Sequence, residues 1–133
     1  MGAWGSGTFD NDTACDWAGD FAESNDLRPV FDALQAVSNV GEDYLDSDVA
    51  CEALAACEVI ARLKGKTGRT DSYTEGVDAW VKSHPLVPPK ELVVKAVAAI
   101  DRIVGTDSEL SELWEGNSEW SAAVKDLRSR VAG

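Results

Sequence analysis

Three aspartates spaced four residues apart, Asp12, Asp16 and Asp20, are the residues of this chain whose type and spacing best suit chemistry. On a helix that spacing stacks the carboxylates on one face, with about 5–6 Å between neighbouring Cβ atoms. Like charges placed this way cost an isolated helix roughly 0.2–0.5 kcal/mol per pair. Only Asp12 sits where the positive end of the helix dipole offsets that cost. Such an array suits either the basic surface of a protein or an oxygen-loving cation, magnesium or calcium rather than zinc. The plainer reading is a solvated helix face opposite Trp17 and Phe21.

A second acidic group, Glu42, Asp43, Asp46 and Asp48, occupies the turn before the longest apolar segment, where acids also serve a helix N-terminus. If the two groups meet, Asp16, Asp20, Asp43 and Asp46 become candidate metal ligands, because converging carboxylates need a cation or a basic residue to relieve their repulsion. A metal held there would activate water for a hydrolytic reaction.

The remaining polar residues offer less. Glu58 precedes Arg62 by four residues, the favourable order for an ion pair on the rim of a helix. Asp101 beside Arg102 is read in the same way. His84 is the sole histidine and stands before Pro85 at a helix end, where a cation suits the C-terminal dipole. Cys15, Cys51 and Cys57 form no C-x-x-C pair and read as small apolar residues of a reducing compartment. Gly65-Lys66-Thr67 lacks the upstream glycine and strand of a phosphate loop. Asp10-Asn11-Asp12 puts Ala14 and Cys15 where a calcium loop needs a ligand and a glycine. The myristoylation match at Met1-Gly2 has no basic patch to support it.

The elements that must position these groups follow from periodicity. Residues 1–9 are glycine-rich and aperiodic, an extended arm packed on the core, with Trp4 either a plug over that core or an anchor for a partner. Asn11 or Asp12 caps a first helix with Ala14, Trp17, Ala18 and Phe21 on one face. A second helix runs from near Asp26 through Phe31, Leu34 and Val37 to Gly41. The third, capped by Ser47 and closed by Gly65, has apolar residues over more than half its circumference. Only a strip of Asp48, Glu52, Glu58 and Arg62 remains polar, so this alanine-rich helix belongs at the centre. A loop follows over 66–72, then a short helix with Val77, Trp80 and Val81 ending before Pro85. Pro88-Pro89 opens a fifth helix, whose core face is Val93, Ala96, Val97, Ile100 and Val104. Thr106 with Glu109 forms a capping box before Leu110, Leu113 and Trp114. The last helix, from Ser118, carries Trp120, Ala123, Val124, Leu127 and Val131.

These segments predict an all-α fold in one domain of 133 residues: about seven helices around a central helix, with the N-terminal arm tucked against it. Residues 1–60 hold thirteen acidic side chains and one basic one, while residues 61–133 hold eleven of each, so the net charge of −12 arises in the N-terminal half. That asymmetry disfavours nucleic acid and anionic membrane and favours a basic protein or a cation. With no secretory signal and no long apolar run, the expected compartment is the cytoplasm.

The opening Met1-Gly2-Ala3-Trp4-Gly5, followed by Gly7, Phe9, Asn11-Asp12, Ala14 and Asp16-Trp17, resembles the start of a family of small bacterial proteins known as a domain of unknown function. The resemblance extends to Glu42-Asp43-Tyr44-Leu45, to Ala56-Cys57-Glu58-Val59-Ile60-Ala61 and to Asp107-Ser108-Glu109-Leu110-Ser111-Glu112-Leu113-Trp114. It implies a bacterial, cytoplasmic, single-domain protein and brings no activity, cofactor or catalytic residue. The leading expectation is an acidic helical interaction module, with Trp4, Asp12, Asp16 and Asp20 meeting a basic partner. An immunity- or antitoxin-type protein is one form of it by analogy. The alternative is the metal-dependent hydrolase.

Overall fold

The computed structural model describes residues 5–133. Seven helices follow one another: α1 (Asp12–Ala22), α2 (Arg28–Val40), α3 (Ser47–Leu63), α4 (Glu75–Ser83), α5 (Lys90–Ile103), α6 (Glu109–Leu113) and α7 (Ser118–Ala132). There is no strand among the described residues, only an isolated parallel bridge between Leu45 and Ser108. The fold is all-α, as periodicity predicts.

The alanine-rich α3 touches each of the other six helices. Every residue from Ala53 to Arg62 is buried. Small side chains such as Ala50, Ala53 and Ala56 let neighbouring backbones approach closely, while Leu54, Val59 and Ile60 fill the spaces between. Around this axis lie the core stripes of α1 (Ala14, Ala18, Phe21), α2 (Val30, Ala33, Leu34, Val37) and α7 (Trp120, Val124, Leu127, Val131). Trp17, Phe21, Trp80 and His84 follow one another with ring centroids 4.1–5.3 Å apart, the outer pairs stacked and the Phe21–Trp80 contact that joins α1 to α4 tilted by 46°.

Several local expectations are corrected. Asp46, not Ser47, caps α3 by accepting from the Asp48 amide at 2.7 Å. Ser108, not Thr106, caps α6. The expected capping box fails because the Glu109 carboxylate is engaged elsewhere, accepting the Ser47 amide at 2.9 Å across the fold. The core face of α5 is Leu92, Ala96, Ala99, Ile100 and Ile103, leaving Val93 and Val97 half-buried and Val104 exposed. Contacts with α2, α3 and α7 turn that face by roughly 70° of helix, keeping Ala96 and Ile100 inside. Phe31 is also outside the core, at 41% exposure, with the Lys95 ammonium 5.3 Å from its ring centroid.

Residues 5–10 pack on the core, with Phe9 buried, but they run through turns instead of extending. The cause is Asp10, whose Oδ2 accepts the Gly7 amide at 3.0 Å while its own amide donates to the Gly7 carbonyl at 3.1 Å.

Candidate functional site

The predicted stripe forms as drawn. Asn11 caps α1 by accepting the Ala14 amide at 2.8 Å, and this fixes the helical phase that leaves Asp12, Asp16 and Asp20 exposed on one side. The helix packs on α3 through Ala14, Ala18 and Phe21. The first turns of α3 then add two more carboxylates. The Thr13 hydroxyl donates to Asp48 at 3.0 Å, and burial together with Asp48 and Asp20 holds the Glu52 carboxyl above its ordinary value. Asp12, Asp20, Asp48 and Glu52 therefore share a surface with Asp16. None of them has an ion-pair partner among the described residues. Of the thirteen acids in residues 1–60, only Asp10, Asp32 and Glu58 have an ion pair among the described residues.

The second acidic group does not complete a metal site with the first. Asp46 is committed to the α3 cap, and Asp43 is exposed on the turn, where its carbonyl accepts from Arg102 at 2.6 Å. Among the described residues no group of three or more His, Cys, Asp and Glu side chains is arranged to hold a metal ion, so Asp16, Asp20, Asp43 and Asp46 are not one centre. Trp4 lies outside the described residues.

Glu58 and Arg62 are not on a rim. Their side chains are 7% and 2% exposed, inside a network that the sequence reading missed. Glu58 accepts both terminal guanidinium nitrogens of Arg130, each at 2.9 Å, and the Thr8 hydroxyl at 3.3 Å. Arg62 Nε lies 3.5 Å from Glu58 Oε1, close enough for attraction but without a hydrogen bond. Its Nη1 donates to Asp78 at 2.6 Å and its Nη2 to the Arg69 carbonyl. Arg69 in turn clamps Asp10 with both terminal nitrogens and pairs with Asp71. That clamp, first of all, holds the Asp10 carboxyl below its usual range.

Glycines make the close approach possible. A Cβ on Gly7 would stand 2.8 Å from Asp10 Oδ2 and 2.9 Å from Arg69 Nη1, and one on Gly68 would stand 2.8 Å from Arg130 Cζ. The one sequence signal for this network is the Glu58 and Arg62 pair itself, set among the apolar residues of positions 53–61. Asp101 likewise pairs with Arg128 at 2.7 and 3.0 Å, not with Arg102. Arg102 instead ties together the carbonyls of Gly41, Asp43, Thr106 and Asp107.

Two concavities flank Trp114 and Trp120. The larger, about 560 Å³, lies between α5, α6 and α7 and has a rim of mixed sign, with Asp107, Glu112 and Glu115 against Lys125 and Arg128. The smaller, about 150 Å³, opens beside the N-terminal end of the acidic stripe, with Leu54, Trp120 and Val124 among its walls. The three thiols are free, and burial raises the pKa of each.

Fold and site together define an all-helical protein with an acidic face that has no ion pair among the described residues, beside a network in which Arg62, Arg69 and Arg130 pair with carboxylates. The chain belongs to the domain-of-unknown-function family DUF4259, whose family model matches residues 2–126. No curated protein and no solved structure matches it. Among the described residues no helix is long and apolar enough to cross a membrane.

Proposed function

We propose that this protein is an acidic interaction module of the bacterial cytoplasm, and that the face made by α1 and the first turns of α3 docks a basic surface on a protein partner. The observation that carries the reading is the gathering of Asp12, Asp16, Asp20, Asp48 and Glu52 on one face, none of them ion-paired among the described residues. Such a face raises the encounter rate with a positive surface and makes the association depend strongly on salt. Neutralisation of a basic nuclease or toxin is one role it would serve. The free thiols agree with a reducing compartment.

The test is capture from the host extract on the immobilised protein, at low and at high salt, compared with an Asp16→Asn, Asp20→Asn variant. A captured protein of basic pI that salt releases and the variant fails to hold supports the reading. Capture indifferent to both changes overturns it.

A further inference from the structure

The smaller concavity beside Asp12 has one apolar wall, from α3, α6 and α7, and one polar wall that includes Ser6, Thr8, Asn11, Thr13 and Ser47. Leu54, Trp120 and Val124 are buried core residues, Trp114 is half-buried, and Leu113 stands 53% exposed. Cys51 adds a thiol that burial, with Asp48 and Glu52 nearby, pushes up to about 11, so it stays uncharged at neutral pH. Among the described residues lining it, only Asp12 and Asp48 are charged. Its volume of about 150 Å³ is well below the roughly 300–1,000 Å³ typical of cofactor and drug-sized ligands, and suits one side chain.

We propose that this pocket receives one aromatic or large aliphatic side chain carried on a lysine- or arginine-rich segment of the partner. The proposal rests on the docking role assigned above to the acidic face, and it names what that partner must present. Charge complementarity selects the occupant: an anchor entering between Asp12 and Asp48 carries its flanking residues onto Asp16 and Asp20. The helical rise between those carboxylates is about 6 Å per step. An extended segment advances about 6.6–6.8 Å every second residue, so basic residues at alternate positions after the anchor fall in register with the stripe. Buried anchors in tryptophan-walled pockets dominate the energetics of protein interfaces, with charges around them setting orientation and rate. The larger concavity between α5, α6 and α7 offers no comparable selection, because its rim carries both signs.

The probes are two fluorescently labelled peptides, Phe-Ser-Lys-Ser-Lys-Ser-Lys and the same peptide with alanine for phenylalanine, titrated with the full chain at low ionic strength and at physiological salt. Anisotropy is expected to show the phenylalanine peptide binding at least about five-fold tighter, the share expected from burying one large apolar side chain. Ala123→Leu, which fills the pocket from α7, and Leu113→Ser, which strips its exposed apolar edge, should each bring the two affinities together. The second variant alters an exposed position and leaves the core intact, so it guards against a folding defect in the first. Asp16→Asn with Asp20→Asn should weaken both peptides while keeping their ratio. Equal binding of the two peptides, or a ratio unmoved by both pocket variants, overturns the pocket and leaves the acidic face standing. Failure of both peptides at low ionic strength overturns the two readings together. A phenylalanine preference that emerges only after Trp4→Ala assigns the pocket to the chain's own N-terminal residues and overturns the proposal.

Discussion

The acidic face of α1 and the ion network beneath the Gly5–Asp10 turns meet in sequence at Asp10, yet they treat charge in opposite ways. Asp10, itself buried, is clamped by the half-exposed Arg69, and Glu58 is held by Arg130 with Arg62 beside it in the interior. Two residues after Asp10, the stripe of Asp12, Asp16 and Asp20 faces solvent with no ion-pair partner among the described residues. Buried charge is tolerated only when paired and hydrogen-bonded, whereas exposed charge is solvated and needs no partner. The two most buried of the ion-paired arginines, Arg62 and Arg130, both lie against the buried Glu58, whereas the α1 stripe has no arginine paired with it among the described residues. That contrast separates acids that build the fold from acids free to meet something else.

The sharpest way to break the contrast is Glu58→Ala. It would strand Arg130 and Arg62 without their central carboxylate, and removal of one partner from a buried pair costs about 3–5 kcal/mol. Urea denaturation should show a loss of that order. A loss comparable to that of a surface substitution would mean the network does not support the fold.

Gly7→Ala comes next. Its Cβ would press on Asp10 and Arg69, and overpacking of this kind costs about 1–3 kcal/mol. Limited proteolysis near the N-terminus should accelerate in step with that loss. Unchanged proteolysis and stability would show that the clamp yields freely.

Acidity separates the two regions by sign. Arg69 holds Asp10 low and Arg128 holds Asp101 low. Their stabilisation is present above the unfolded carboxylate value and is lost as pH falls through the depressed folded values. Burial and the neighbouring Asp48 and Asp20 hold Glu52 high, so its contribution is present in acid and is lost as pH rises through the raised folded value. At low salt the melting temperature should therefore rise as pH falls through the raised Glu52 value toward 4.5, then drop as pH falls below 3.8 through the depressed Asp10 and Asp101 values. A steady decline across that whole range would contradict the account of Glu52 and its neighbours.

The smallest effect belongs to the stripe. Asp16→Asn with Asp20→Asn should leave stability unchanged or raise it by about 0.2–0.5 kcal/mol, through relief of like charges one turn apart. Differential scanning calorimetry at low ionic strength would register this. Unfolding of the variant would place the stripe among the structural acids and remove the functional reading.

Much of the architecture was legible because helices announce themselves locally. The apolar stripes of α1 and α7, the stops at Gly41 and Gly65, and the central place of an alanine-rich helix all follow from spacing within one segment. The α5 face was misread because Val93, Val97 and Val104 are as apolar as Leu92 and Ile103, and only the neighbours on its several sides decide which are buried. The α6 cap was misread because Glu109 spends its carboxylate on Ser47, 62 residues away in sequence. The stripe on α1 could be drawn from sequence, but its joining to Asp48 and Glu52 could not.

By itself the sequence determined the helices, the placing of surplus acid before residue 60, and the exposure of the α1 carboxylates, because each is a property of one helical period or of simple counting. Only the tertiary structure decided which acids are neutralised. Glu58 meets Arg130 across 72 residues and Asp10 meets Arg69 across 59, and no local pattern encodes which distant guanidinium will reach a buried carboxylate. The physical reason is that pairing is driven by desolvation, and desolvation exists only once the helices have packed.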